Sequence, residues 1–248
     1  MEYLDMITKL GVGNAHPGGF SETLRQLQSH PIIAGCKVLE VGCGTGRTAC
    51  YLAEQGCRVT AVDIRPEMIE KAKKRALRLN IQVDFRTGDA CLLPFSDRIF
   101  DVVLVESVSN FTDIRKAFSE YSRVLAPGGM LYDREVVRIG EVTPEEHEAI
   151  CGYYGVQTFL NREEWEQVLQ VSGFTDSQIY GPHPFPPNMW EDIVDHPDPI
   201  RLADENAIFD PEIWQLSAQY DELMDRYSNY LGYALFVGKK QPGTEASL

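Results

Sequence analysis

The chain has no apolar run approaching the roughly 20 residues that a bilayer-spanning helix needs. Its start, Met1-Glu2-Tyr3-Leu4-Asp5, is polar and does not read as a secretory signal. A cytoplasmic protein with no membrane partner is therefore expected. Basic residues are scarce, with 23 Lys and Arg against 37 Asp and Glu and a formal net charge of −14. Proteins that track a phosphate backbone need Lys and Arg to displace counterions, so nucleic acid is not an expected partner. The one dense basic run, Lys71-Ala72-Lys73-Lys74-Arg75 with Arg78, sits on an amphipathic helix and reads as its solvated face. The six cysteines, Cys36, Cys43, Cys50, Cys57, Cys91 and Cys151, show no CxxC spacing, which excludes a zinc ribbon or a disulfide scaffold. They read as buried, reduced thiols, and no metal site is expected. Internal repeats and a clear interdomain linker are also missing. What remains is 248 residues, 44% hydrophobic and 24% charged, enough for one α/β domain with an elaborated cap.

Strand and helix patterns alternate from Lys37 to Val137. Lys37–Val41, Arg58–Asp63, Val83–Arg86, Phe100–Val105 and Met130–Tyr132 read as strands, the fourth apolar enough to be buried on both faces. Between them, 48–55 reads as a helix ended by Gly56, Pro66 opens a second, and Ile114, Ala117, Phe118, Tyr121 and Leu125 mark a third that Pro127-Gly128-Gly129 stops. This order predicts a mostly parallel sheet with right-handed crossovers. Further on, Asn161 and Glu164 resemble a capping box, a sixth strand is expected near 177–180, and Gly181–Pro187 is too rich in proline for regular structure. Asp210-Pro211 opens a last helix, Tyr233–Val237 is a final strand, and the tail from Gln241 is expected to be disordered. The expected organisation is a lid over 1–35, a core over 36–180, a cap insertion over 181–230, the last strand over 231–240 and a tail over 241–248.

The chemistry begins with Glu40-Val41-Gly42-Cys43-Gly44-Thr45-Gly46. Glycines at this density let backbone approach a ligand at the carboxyl end of the first strand, where open α/β sheets bind their ligands. A dinucleotide fingerprint wants a glycine at position 47, which is Arg47 here, and no carboxylate like that of Glu40 beside a pyrophosphate. Glu40 suits an ammonium group instead. S-adenosylmethionine (SAM) carries an ammonium, a sulfonium and no phosphate. Asp63, seventeen residues past Gly46, can accept both ribose hydroxyls of an adenosine, with Ile64 against the base. Asp89, after Gly88 and before Ala90, can receive the adenine amino group, with Leu92, Leu93 and Phe95 walling the ring. Three acids at successive strand ends, in step with the glycines, form a constellation.

Val38–Gly46, Val62-Asp63, Gly88-Asp89-Ala90, Leu93-Pro94-Phe95 with Phe100-Asp101, and Leu125–Gly129 together resemble the class I SAM-dependent methyltransferases, nearest the small-molecule group related to the ubiquinone and menaquinone biosynthesis enzymes. The resemblance covers about 36–137. It implies a Rossmann-like, seven-stranded sheet with helices on both faces, whose last strand is antiparallel and inserted beside the sixth. It also implies that Glu40 and Gly42, with Cys43, Gly44 and Gly46, face the methionyl part, Asp63 the ribose, and Asp89 with Ala90 the adenine.

Methyl transfer to O, N or C needs alignment and exclusion of water, and a base only where the nucleophile must lose a proton. Two residues are candidates for that base. Glu106, which follows the fourth strand, either faces substrate or makes a local hydrogen bond or donor contact. His16, in the segment Gly13–Phe20, either lies in a lid near the substrate or is exposed at a helix start. The segment itself looks like the HPGG element seen before the core in some of these enzymes. Tyr153 and Tyr154 form either an aromatic wall or core packing. Phe185, Met189, Trp190, Phe209 and Trp214 are expected to cover the carboxyl edge and to favour a small-molecule acceptor with an apolar or aromatic body. Other readings remain open at this point: a non-catalytic SAM- or partner-binding protein, and an NAD-dependent oxidoreductase, with the oligomeric state either monomer or homodimer.

Overall fold

The computed structural model of the chain describes residues 1–185 and 194–241. Seven strands form one sheet: β1 (Lys37–Val41), β2 (Arg58–Asp63), β3 (Asp84–Thr87), β4 (Phe100–Glu106), β5 (Leu125–Arg138), β6 (Phe174–Pro184) and β7 (Leu231–Lys240). Their order is β3-β2-β1-β4-β5-β7-β6, and β7 runs antiparallel to both of its neighbours. This is the seven-stranded, Rossmann-like sheet that the motifs imply.

Alternation along the central strands separates two apolar layers. Leu39, Val41, Val103 and Val105 face α5 (Ile114–Val124) and α7 (Arg162–Val171), whose Phe118, Tyr121, Trp165 and Leu169 are fully buried. Trp165 anchors that layer, with its ring 4.7 Å from Phe236 and 5.7 Å from Phe118. Val38, Val102 and Leu104 face α3 (Arg47–Glu54) and α4 (Pro66–Leu79) through Ala49, Leu52, Ile69 and Ala72. Parallel strands covered on both sides read as continuous apolar runs for this reason.

Several elements differ from expectation. β5 starts at Leu125, directly after α5, so Pro127-Gly128-Gly129 lies within the strand. There the pairing slips from Phe100 opposite Leu125 to Val102 opposite Met130, a bulge made possible by the positive φ of Gly128. β5 then continues past Tyr132 to Arg138 and carries three buried charges, Asp133, Arg134 and Glu135. β6 extends through Gly181–Pro184 instead of stopping, because it is the outer strand and its prolines need no partner on the open side.

Two of the five basic residues in that run are also not solvated. Lys71 and Arg75 are buried and hold the segment after residue 194. Lys71 Nζ donates to the Leu202 carbonyl at 2.7 Å and to Asp204, and Arg75 Nη1 donates to Asp198 at 2.8 Å. Among the cysteines, Cys36 and Cys91 are half-buried while the other four are buried.

Above the carboxyl edge lies a helical cap. It is built from α1 (Tyr3–Leu10), α6 (Pro144–Tyr154) and α8 (Pro211–Tyr227), joined through Tyr3, Met6, Tyr153, Tyr154, Ile213 and Tyr220. α6 begins at a reciprocal capping box, Thr143 with Glu146. It belongs to the cap although the chain places it between β5 and α7. From α1 the chain passes through Gly18, at φ 77°, into α2 (Gly19–Ser29), which packs beside the end of β4. Among the described residues, no helix is long and apolar enough to cross a membrane.

Candidate active site

At the carboxyl ends of β1, β2 and β4 lies a cavity of about 370 Å³, lined by Glu40, Gly42, Cys43, Gly44, Asp63, Ile64, Gly88, Asp89, Ala90 and Glu106 among others. The sheet delivers these groups because β1 and β2 end in step, with Val41 opposite Val62. Two glycines shape the hollow. A Cβ on Gly42 would lie 2.1 Å from Val108 Cγ2, so backbone alone fits there. At Gly44 a Cβ would meet nothing within 4 Å and would project into open space. Gly46 does not line the cavity: it caps α3 and packs against Ala72 and Phe85.

Asp63 ends β2 with one oxygen accepting from Gly44 N and the other from Arg65 N, both at 2.9 Å. Burial pushes its carboxyl up, and the two N–H groups oppose that rise. Glu40 is more extreme. Its Oε2 is buried without a partner, and burial, with the charges of Glu106 and Asp63 added, pushes its carboxyl well above the usual range. A buried acceptor on the cavity wall with no protein donor suits an ammonium group. Asp89 is exposed at the rim, where it accepts from Cys91 N at 2.8 Å. Leu92, Leu93 and Phe95 do not wall the cavity. Leu92 is 77% exposed, while Leu93 and Phe95 turn into the core, Phe95 against Phe100.

Glu106 ends β4 beneath the lid and is saturated with donors. Thr23 Oγ1 donates at 2.6 Å, Thr48 Oγ1 at 2.9 Å and Arg134 Nη1 at 2.9 Å, and His16 Nε2 lies 3.8 Å away. Burial alone would raise its carboxyl, but His16, Arg134 and the two hydroxyls hold it below the ordinary glutamate range. Arg134 is itself clasped by the Glu22 carbonyl and Gln26, and its Nη1 lies 3.5 Å from His16 Nδ1. His16 is therefore buried over this ion cluster, not exposed at a helix start.

A second cavity, of about 480 Å³, lies under the cap. It shares Ile7, Val12, Ala15, His16, Ser107 and Phe111 with the first. Tyr3, Tyr154, Phe159, Phe185, Tyr220 and Tyr233 supply most of its aromatic wall. Tyr153 packs behind that wall, donating to the Leu216 carbonyl at 3.1 Å. Phe209 and Trp214 are 75% and 63% exposed and line neither cavity. The buried stripe of α8 runs through Ile213, Leu223 and Tyr227, and position 214 lies about 100° round the helix from 213. Met189 and Trp190 lie outside the described residues.

A family model described as a methyltransferase domain matches residues 39–133. The uncharacterized methyltransferase YodH of Bacillus subtilis is 33% identical over 96% of this chain and 99% of its own length. This chain is a SAM-dependent methyltransferase of class I. A demethylmenaquinone methyltransferase of Thermus thermophilus is 40% identical over 38% of this methyltransferase and 44% of itself. The phosphoethanolamine N-methyltransferase 2 of Haemonchus contortus, solved with phosphomonomethylethanolamine and S-adenosylhomocysteine, superposes with a TM-score of 0.73. It is 22% identical and covers 96% of this chain and 57% of that one, which is a likeness of fold.

Sequence reasoning missed much of the methyltransferase's polar floor: Thr23, Gln26, Thr48 and the Asp133-Arg134-Glu135 triplet. The triplet did carry a signal. Three charges between Leu131-Tyr132 and Val136-Val137 on an interior strand must be paired, or they would be costly to bury.

Proposed function

We propose that this methyltransferase alkylates a small molecule with a neutral, apolar or aromatic body, seated in the cavity under the cap. The observation that carries this is the common wall: a donor hollow and an aromatic cavity share six residues, so a nucleophile in one faces a methyl group delivered from the other. SAM, when bound, supplies a methyl group already activated by positive sulfur. Glu40 and the Gly42–Gly44 backbone would hold its amino-acid end, Asp63 the ribose, and Ile64 with the Gly88–Ala90 turn the base. The remaining work is approximation and exclusion of water, which the cap performs.

Charge distribution narrows the acceptor. The only cationic or imidazole side chains lining the second cavity among the described residues are His16 and Arg25. Arg25 is largely exposed and pairs with Glu22 at 3.2 Å. Residues 186–193 contain no Lys, Arg or His, so they bring no cation wherever they lie. A phosphorylated acceptor would lack the cationic partners that phosphate recognition uses, and a nucleic acid would lack them further.

His16 is the only imidazole in the common wall, and it takes the proton of a hydroxyl or amine nucleophile as attack proceeds. Glu106 stays ionised below it and stabilises the imidazolium that forms. With its lone pairs already engaged, Glu106 is a poor proton acceptor itself.

The test is incubation of the protein with methyl-labelled SAM and three acceptor sets: hydroxylated aromatics, apolar amines and phosphorylated amines. Label entering the first or second set supports the reading. Label entering only the phosphorylated set contradicts it.

A further inference from the structure

The turn after β4 is the structural link between the two cavities. Ser107, Val108, Phe111 and Thr112 line the donor hollow, and Ser107, Asn110 and Phe111 line the acceptor cavity. Val108 also closes directly over Gly42. Within the turn, Phe111 N donates to the Val108 carbonyl at 2.9 Å and Thr112 Oγ1 to the Ser109 carbonyl at 2.8 Å, which leaves the N–H groups of Val108, Ser109 and Asn110 to be met from outside it. The anchor comes from behind, from the α5-facing side of β5. Glu135 Oε1 accepts from Val108 N and Ser109 N, each at 2.6 Å, and Oε2 accepts from Asn110 Nδ2 at 2.8 Å and Asn110 N at 3.4 Å. Two residues earlier, on the same face of the strand, lies the buried Asp133 carboxyl. Asp133 Oδ2 accepts from Ser109 Oγ at 2.8 Å, and Tyr121 OH lies 3.3 Å from the same Oγ. Asp133 Oδ1 has no donor, and both acids are fully buried.

Two buried carboxyls on neighbouring positions of one strand face disfavour each other's charged form. Burial pushes the Glu135 carboxyl up to about 7, and its four donors oppose that rise. Asp133 faces one donor, and burial together with the charge of Glu135 pushes its carboxyl well up. Of the two acids, Glu135 is therefore the one whose charge the surrounding donors compensate.

We infer that Glu135, through its bonds to Val108, Ser109 and Asn110, is the positioning residue that holds the 107–112 turn in register with both cavities. It touches neither donor nor acceptor. It acts through Val108, Ser109 and Asn110. The inference rests on the donor-site reading above, since it assigns the turn to the methyl-transfer wall.

Isosteric amides separate this role from simple packing. In Asp133→Asn the amide oxygen still accepts from Ser109 Oγ, and the side chain keeps its shape while the four donors to Glu135 are untouched. In Glu135→Gln an NH₂ must oppose backbone or Asn110 donors whichever way the amide is turned. S-adenosylhomocysteine binding by calorimetry and amide hydrogen exchange over 107–112 are measured for wild type and both variants. Glu135→Gln is expected to weaken binding at least tenfold and to speed exchange in that turn. Asp133→Asn is expected to stay within threefold of wild type in both readouts. A tenfold loss of binding in Asp133→Asn overturns the inference, even if Glu135→Gln fails to fold. Wild-type binding and exchange in Glu135→Gln overturn it as well. Absence of binding by the wild type itself would instead remove the donor-site reading beneath it.

Discussion

The donor hollow is walled mainly by backbone and carboxyls drawn from 40–106, whereas the cavity beside it is walled by aromatic rings from α1, α6, α8 and β7. The first holds its acids in place with main-chain N–H groups at strand ends, as at Asp63. The second depends on cap segments tied to the core by Arg75 with Asp198 and Arg65 with Asp5, and to one another by Lys9 with Asp210. On the proposed reading, donor binding draws mostly on strand ends between 40 and 106 with the segment 4–16 over them, while acceptor selection depends on cap elements brought together from across the chain. Substitutions in the two regions should therefore separate into losses of donor affinity and losses of cap integrity or turnover.

The largest separation is expected at the common wall. His16→Ala should lower kcat by about 10² to 10⁴-fold for an acceptor that loses a proton, the usual contribution of a general base. S-adenosylhomocysteine affinity should change little. Full turnover in this variant would return the chemistry to approximation alone.

Next in size is the cap fastening. Asp198→Ala strands Arg75, which is 3% exposed, and breaking a buried pair costs about 3–5 kcal/mol. Because Asp198 is itself half-buried, the lower end of that range is expected, read as a fall in Tm with the sheet still folded. No change in Tm would mean that the segment after 194 does not hold the cap.

On the donor side, Asp63→Ala should weaken S-adenosylhomocysteine binding by roughly 10- to 150-fold. That corresponds to the ~1.5–3 kcal/mol of hydrogen bonds to a charged group. Acceptor KM should be unaffected at saturating donor.

Glu40 gives a smaller, pH-dependent effect. Burial raises its carboxyl in the free protein, and a ligand ammonium lowers it again. Binding should therefore release a proton, and affinity should rise with pH between the bound and free values. Calorimetry in buffers of different ionisation enthalpy measures that proton, and Glu40→Gln should abolish its release. The smallest effect is predicted at Trp214, whose replacement by Ala should shift stability by no more than about 0.5 kcal/mol and leave acceptor KM unchanged.

How much of this was readable from the sequence follows the same division. Glu40, Gly42, Gly44, Asp63 and the Gly88–Ala90 turn were legible because each lies at a strand end, and a parallel sheet brings strand ends together by topology. The antiparallel last strand beside the sixth was implied by the resemblance and is observed. Long-range pairing was not legible. Nothing near Lys71 or Arg75 announces Asp204 or Asp198, more than 120 residues away, so the run looked solvated. The buried charges of β5 were lost because Pro127-Gly128-Gly129 reads as a stop and the strand was ended at Tyr132, just before them. Trp214 was misplaced by a single helical position. α6 carried a capping box, Thr143 with Glu146, but only weak amphipathic patterning to support it.

The most direct measurement is a crystal structure with S-adenosylhomocysteine. The expected result is ligand in the hollow of about 370 Å³, its amino group on Glu40 Oε2 and its ribose hydroxyls on Asp63, with the sulfur directed toward the wall shared by His16 and Phe111. Ligand seated elsewhere, or an ammonium group turned away from Glu40, would contradict it.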